Sequence, residues 1–167
     1  MIAKIEQIIR RIGQAASWVC LVLVGIVCAS VILRYAFGIS SLAFDELQWH
    51  IYSASFLLGF SFATVERTHV RNDILYNSFS LIWQKRIDLF SHLILVVPFC
   101  LIVIYHSWDF VLWSWKQNEG SIDPGGLSDR WIIKSFLLIG FGLFAIAALS
   151  QIYQTFGKLR ALSRGHS

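Results

Sequence analysis

The sequence predicts an all-α integral membrane protein, with four transmembrane helices in a single membrane domain over residues 1–167. Hydrophobic residues make up 56% of the chain and charged residues 14%, and the mean hydropathy is +0.63, which is typical of multispanning membrane proteins. The stretch 47–65 has no Asp, Glu, Lys or Arg and is bracketed by polar segments. A helix needs about 20 apolar residues to cross a bilayer core about 30 Å thick, so this stretch predicts a span.

Three more stretches without charged residues, 12–33, 89–108 and 135–157, are long enough to cross a membrane. The predicted spans are therefore about 12–33, 45–65, 89–108 and 132–157. A cleaved signal peptide is the alternative reading of the first stretch. Its length, and its end at Leu33 and Arg34 without a small-residue cleavage site, favour a retained helix.

The positive charges predict the orientation of these spans. If the N-terminus is cytoplasmic, ten of the 14 Lys and Arg residues lie in inner segments and four in outer ones. This excess predicts that both termini are cytoplasmic. It also accounts for the basic isoelectric point of about 9.2, so nucleic-acid binding is not predicted.

Two amphipathic segments predict short helices in the membrane interface, at about 2–12 and 73–84. In the first, Ile2, Ile5, Ile9 and Ile12 recur at helical spacing, with polar residues opposite them. A simple extension of the first span is the alternative. In the third span, Pro98 removes one backbone donor and predicts a kink.

Small residues recur along one face of the second span. Ser55, Gly59 and Ala63 are four residues apart, with bulky side chains around them. Such a face lets another helix approach closely. The pattern predicts helix packing, and the partner helix could belong to this chain or to another.

The outer end of the second span carries the polar candidates. Glu46 and His50 are four apart and share a helix face. They could form a proton or ligand site, or an interfacial pair that anchors the helix or contacts a neighbouring subunit. Arg34 is a candidate partner for Asp45 or Glu46, and a snorkelling anchor explains it equally well.

The longest outer connection, 109–130, contains a turn signature. Pro can fix one turn position and Gly permits positive φ, so Pro124, Gly125 and Gly126 predict a compact turn before the fourth span. With the polar residues Arg34, Asp45, Glu46 and His50, these residues are the candidates for docking or anchoring at the outer face.

The chain shows no nucleophile and base constellation, no metal-ligand cluster and no phosphate loop, so neither an enzyme nor a cofactor is predicted. No charged residue lies in the middle of a span, whereas ion-coupled carriers keep ionisable groups there. An accessory or scaffold subunit is therefore the default. A self-sufficient small multidrug-type exporter and a haem cytochrome using His50 and His106 are the alternatives.

Four short sequence motifs follow one another along the chain: RYAFG at 34–38, DELQWH at 45–50, FLLG at 56–59 and HVRND at 69–73. In this order they resemble the small permease subunit, DctQ-like, of tripartite ATP-independent periplasmic (TRAP) transporters. Asn72 replaces the apolar residue usual in the last motif. The words DPGGL at 123–127 and RWIIK at 130–134 further resemble the mannitol/chloroaromatic subgroup.

The resemblance implies a function held by a complex in the bacterial inner membrane. Its partners would be a large multispanning DctM-like subunit and a periplasmic substrate-binding protein, and the complex would import organic acids by sodium symport. The small subunit would scaffold the large one and help form the docking surface. The inner motif His69, Arg71 and Asp73 would fix the turn after the second span, with Asp73 as a helix cap.

Overall fold

Four helices make up most of the chain in a computed structural model, which describes residues 2–66, 76 and 78–164. They are α1 (Ile2–Phe37), α2 (Leu42–Glu66), α3 (Leu81–Lys116) and α4 (Trp131–Arg164). A short connection joins α1 to α2, and the longer loop 117–130 joins α3 to α4. The predicted all-α class is confirmed.

Three of these helices are long and apolar enough to cross a membrane, within Lys4–Phe37, Leu81–Lys116 and Trp131–Arg160. The remaining helix, α2, has 25 residues, which gives a length of about 38 Å at 1.5 Å per residue. Gln48, His50 and several hydroxyl side chains lower the hydropathy of its central stretch. A membrane crossing by α2 stays a prediction.

Packing between the helices centres on α2 and α4. α2 packs against α1 and α4, α3 packs against α4, and the first turns of α1 also reach α4. Only 6% of the residues in the most apolar stretches of α1 and α3 are buried. Outward-facing apolar side chains are those that lipid or a membrane partner covers.

Two single glycines allow α2 to approach its neighbours closely. Gly13 of α1 lies against the ring of Phe62, where a Cβ atom would overlap the ring. A Cβ atom at Gly140 of α4 would lie 2.8 Å from Cβ of Leu57 and 3.1 Å from its carbonyl oxygen. At neither position could a larger residue fit unless its neighbour on α2 moved.

The first turns of α1 pack against the C-terminal parts of α2 and α4. The small core at this end consists of Ile9, Val65 and Ala147. Glu6 accepts hydrogen bonds from the Ser150 hydroxyl at 2.7 Å and from the Gln154 amide, and Arg10 forms an ion pair with Glu66. Residues 2–12, predicted as an interfacial helix or an extension of the first span, are continuous with the rest of α1.

A π-helical segment, Ser91–Val96, interrupts the α-helical hydrogen bonding of α3 just before Pro98. The Val97 N–H bonds to the carbonyl of His92, five residues back. A π segment shifts the hydrogen-bonding register of a helix, and Pro98, directly after it, has no N–H to donate. The kink predicted at Pro98 stays a prediction. Of the interfacial segment predicted at 73–84, residues 73–75 and 77 lie outside the described residues, and α3 begins at Leu81.

Candidate functional site

One carboxylate in the first turn of α2 holds the loop 117–130. Glu46 Oε1 accepts hydrogen bonds from the Ser121 hydroxyl at 2.5 Å and from Arg130 Nη2 at 2.9 Å. Its Oε2 accepts from the Leu127 backbone N–H at 2.7 Å. The Glu46 side chain is only 13% exposed. A single side chain of α2 therefore fixes three positions of a loop that is 75 or more residues away in sequence.

The loop itself contains a tight turn over residues 123–126. The Gly126 N–H bonds to the carbonyl of Asp123 at 3.2 Å. Pro124 occupies the second turn position, and Gly125 has φ +86° at the third. This is the pattern of a type II turn, in which the third residue needs positive φ and proline suits the second. The turn lies where the sequence predicts it.

Gly126 has no space for a side chain. A Cβ atom there would lie 2.8 Å from Glu46 Oε2 and would overlap the Ser121 side chain. A Cβ atom at Gly120, in the same loop, would lie 3.9 Å from its nearest neighbours, the Leu127 carbonyl oxygen and Ser128 Cα. The two glycines therefore provide a matched pair for testing how tightly the loop is packed on Glu46.

We expect Gly126→Ala to lower the free energy of unfolding by about 1–3 kcal/mol, the usual cost of overpacking a filled site. Gly120→Ala should change it little, because the added methyl group meets only ordinary contacts. Thermal unfolding of the detergent-solubilised protein measures both effects. Equal stability of the two variants would show that Glu46 does not hold the loop closely.

A second ion pair ties this loop to α3 and α4. The carbonyl of Glu119 accepts the Arg130 backbone N–H at 2.9 Å, and its carboxylate pairs with Lys134. Lys134 Nζ also lies 4.0 Å from the ring centre of Phe110 on α3. The hydrogen bond from Lys134 holds the pKa of Glu119 below its usual range. The Glu119 carboxylate is thus ionised at neutral pH and keeps its pairing.

The structure resolves the choice of partner for Arg34. Arg34 of α1 forms an ion pair with Asp45 of α2, and Asp45 also accepts a hydrogen bond from Ser30 at 3.3 Å. Glu46 instead pairs with Arg130. Sequence reasoning missed the latter pair, although an arginine at the end of an outer loop and an acid at an outer helix end were both visible.

The three residues of the predicted small-residue face differ in their surroundings. Ser55 is 6% exposed, and its hydroxyl is buried without a hydrogen-bond partner among the described residues. Gly59 is open, because a Cβ atom there would meet nothing within 4 Å. Ala63 is half-buried. Close packing at Gly59 by the described residues of this chain is therefore absent.

A row of aromatic rings lies on the same side of α2 as Gly59. Trp49, Tyr52 and Phe56 are 69%, 52% and 56% exposed, respectively. Their ring centres are 6.3 Å and 6.1 Å apart in sequence order, and Phe60 follows 4.9 Å beyond Phe56. This exposed surface is apolar and aromatic, which is typical of contact surfaces.

The arrangement offers contacts and shows no catalytic constellation among the residues described. No group of three His, Cys, Asp or Glu side chains in those ranges could hold a metal ion. The His92 ring bonds to the carbonyl of Asp88 in its own helix at 2.8 Å. His50, one turn after Glu46, is half-buried. The predicted inner motif His69, Arg71 and Asp73 lies outside the described residues.

Fold and site together describe a helical protein with long apolar helices, whose polar contacts order its own helices and the loop 117–130. The family described as tripartite ATP-independent periplasmic transporters, DctQ component, matches residues 23–158, more than four-fifths of the chain. The chain belongs to this family: it is the DctQ small subunit of a TRAP transporter, a multi-pass membrane protein and not an enzyme. No curated protein matches it. Family membership decides against the exporter and cytochrome alternatives.

Proposed function

We propose that this DctQ component scaffolds a large multispanning DctM-like subunit and helps form the docking surface for a periplasmic substrate-binding protein. The complex imports an organic acid, with sodium as the coupling ion. The sequence of the spans favours an accessory role. No charged side chain lies in the middle of a span, whereas coupled transport needs ionisable or polar groups there. Transport itself is then the task of the large subunit.

The contacts of Glu46 carry the docking part of the proposal. They hold the loop 117–130 in one conformation, with Pro124 and Gly125 at its tip. A surface that is already ordered loses less conformational entropy when a partner binds. Arg34, Asp45 and His50 lie at the same end of the helices and extend the candidate surface.

The proposed topology has four spans and cytoplasmic termini in the bacterial inner membrane. Ten of the 14 basic residues then face the cytoplasm, and the loop 117–130 faces the periplasm. His69, Arg71 and Asp73 would form the inner turn after α2. The words at 123–127 and 130–134 support the mannitol/chloroaromatic subgroup, which names no substrate for this chain.

The open side of α2 is the proposed contact for the large subunit. Gly59 offers a close approach, Ala63 lies one turn beyond it, and the exposed rings of Tyr52 and Phe56 precede Gly59 on α2. Ser55, which is buried, contributes to packing inside the small subunit. Close helix packing at small residues is a principal source of affinity between membrane helices.

Co-purification tests the proposal. A tagged form of this chain, co-expressed with the large hydrophobic protein of the same transporter, should retain that protein in mild detergent. Liposomes with both subunits, a sodium gradient and the binding protein should take up substrate, and liposomes with this chain alone should not. Transport by the isolated chain, or purification without a large partner, would contradict the scaffold function.

A further inference from the structure

A groove of about 600 Å³ lies between the outer halves of α1 and α2. Its walls are apolar and aromatic, and its outer end is polar. The lining consists of Leu23, Val27, Arg34, Asp45, Gln48, Trp49 and Tyr52. The groove therefore combines a charged mouth with an apolar interior.

The mouth carries one charge of each sign. The side chains of Arg34 and Asp45 are 46% and 35% exposed although they pair with each other. A guanidinium group has five N–H donors, so Arg34 has donors left after its bond to Asp45. The pair has no net charge, and both groups line the groove.

A third polar group lies between the mouth and the apolar interior. The amide nitrogen of Gln48 is buried and has no hydrogen-bond partner in the ranges that the structure describes. A buried donor without an acceptor is destabilising. Other atoms of Gln48 line the groove, so a rotation of its side chain would bring this donor to an oxygen acceptor of a bound molecule.

We propose that this groove binds one zwitterionic phospholipid. The lipid phosphate accepts hydrogen bonds from the free donors of Arg34, and the headgroup amine lies near Asp45. An ester oxygen accepts from Gln48, and an acyl chain lies along Leu23 and Val27. A mouth with both charges matches a zwitterionic headgroup better than an anionic one, because an anionic lipid has no cation to place beside Asp45.

Native mass spectrometry of the full-length chain, purified with any membrane partner that accompanies it, tests this site. After delipidation, phosphatidylethanolamine and phosphatidylglycerol are added back in equal amounts. We expect one phosphatidylethanolamine per chain, with a preference of about tenfold, the change produced by one hydrogen bond to a charged group. Equal binding of the two lipids would overturn the proposal.

Two tryptophan variants of α1 separate the groove from general lipid contact. Leu23→Trp fills the groove and should abolish specific binding. Leu21→Trp is the matched control, because Leu21 is 62% exposed and lies about 200° around the helix from Leu23. If phosphatidylethanolamine still binds specifically to both variants, the lipid does not occupy this groove and the proposal is wrong.

Two polar variants test the contacts at the mouth. Arg34→Gln should weaken phosphatidylethanolamine binding by about tenfold, since it removes the phosphate contact. Gln48→Leu should weaken lipid binding and leave the delipidated protein at least as stable, because it removes an unpaired buried donor. If Gln48→Leu destabilises the delipidated protein without changing lipid binding, Gln48 is a packing residue and the proposed contact is wrong.

Discussion

Replacing Glu46 with glutamine is expected to release the loop 117–130 and to weaken docking of the periplasmic binding protein. The carboxylate accepts on both oxygens, Oε1 from Ser121 and Arg130, and Oε2 from Leu127. An amide must turn its NH₂ group toward one of these donors, so at least one bond is lost in either orientation. Arg130 also loses its counter-charge.

The expected decrease in docking affinity is about tenfold, since the loss of one hydrogen bond to a charged group has an effect of this order. Binding of the periplasmic protein to the membrane complex in nanodiscs measures it. Hydrogen exchange at the Leu127 amide provides a structural measurement, because that amide donates to Glu46. It should exchange faster in Glu46→Gln than in the unchanged protein.

Glu119→Gln is the matched control for Glu46→Gln. It makes the same charge change at a residue of the loop itself, whose side chain is 36% exposed and pairs with Lys134. The backbone bond from Arg130 to the Glu119 carbonyl remains, so docking should weaken much less. If Glu46→Gln abolishes uptake while docking and assembly are unchanged, Glu46 handles the transported ion directly.

Sequence reasoning located the acids at the outer end of α2 but could not give their partners. Asp45 and Glu46 are adjacent, and Arg34 is close in sequence to both. The choice between them depends on which neighbour each acid faces, because α2 packs against both α1 and α4. Asp45 contacts Arg34 of α1, and Glu46 contacts Arg130 at the end of the loop that precedes α4. Span lengths do not determine this arrangement.

Helix packing was harder to predict than helix position. The repeated small residues at Ser55, Gly59 and Ala63 form a recognisable pattern, yet the close contacts inside the chain occur at Gly13 and Gly140. Each of these is a single glycine opposite a bulky residue of α2. A single glycine has no periodic signal, and its role depends on which residue the neighbouring helix brings opposite it.

The packing of the first turns of α1 has a similar explanation. The spacing of Ile5 and Ile9 correctly marks one apolar face, but it cannot tell a lipid surface from a protein surface. The partners of the polar residues show that this face meets protein: Glu6 contacts α4 and Arg10 contacts α2. These partners are known only from the folded structure. They are 56 and 144 residues away in sequence, so the local pattern around α1 cannot predict them.

Gly59→Leu should leave the small subunit folded and should prevent its assembly with the large subunit. Among the described residues, no atom lies within 4 Å of a Cβ atom at Gly59, so the new side chain starts in open space. A partner helix packed at that position would be pushed away, because close approach depends on the missing side chain. Co-purification of the large subunit and sodium-driven uptake should both be lost.

Gly25→Leu is the control, since Gly25 on α1 also has nothing within 4 Å but lies on a different helix. Leucine replaces glycine in both variants, so any general effect on helix propensity is shared. Thermal unfolding of the small subunit should be similar for the two. Loss of assembly in Gly25→Leu alone would move the contact surface to α1. Normal assembly in both variants would exclude Gly59 from a close helix contact. Loss in Gly59→Leu alone would identify α2 as the helix that meets the large subunit.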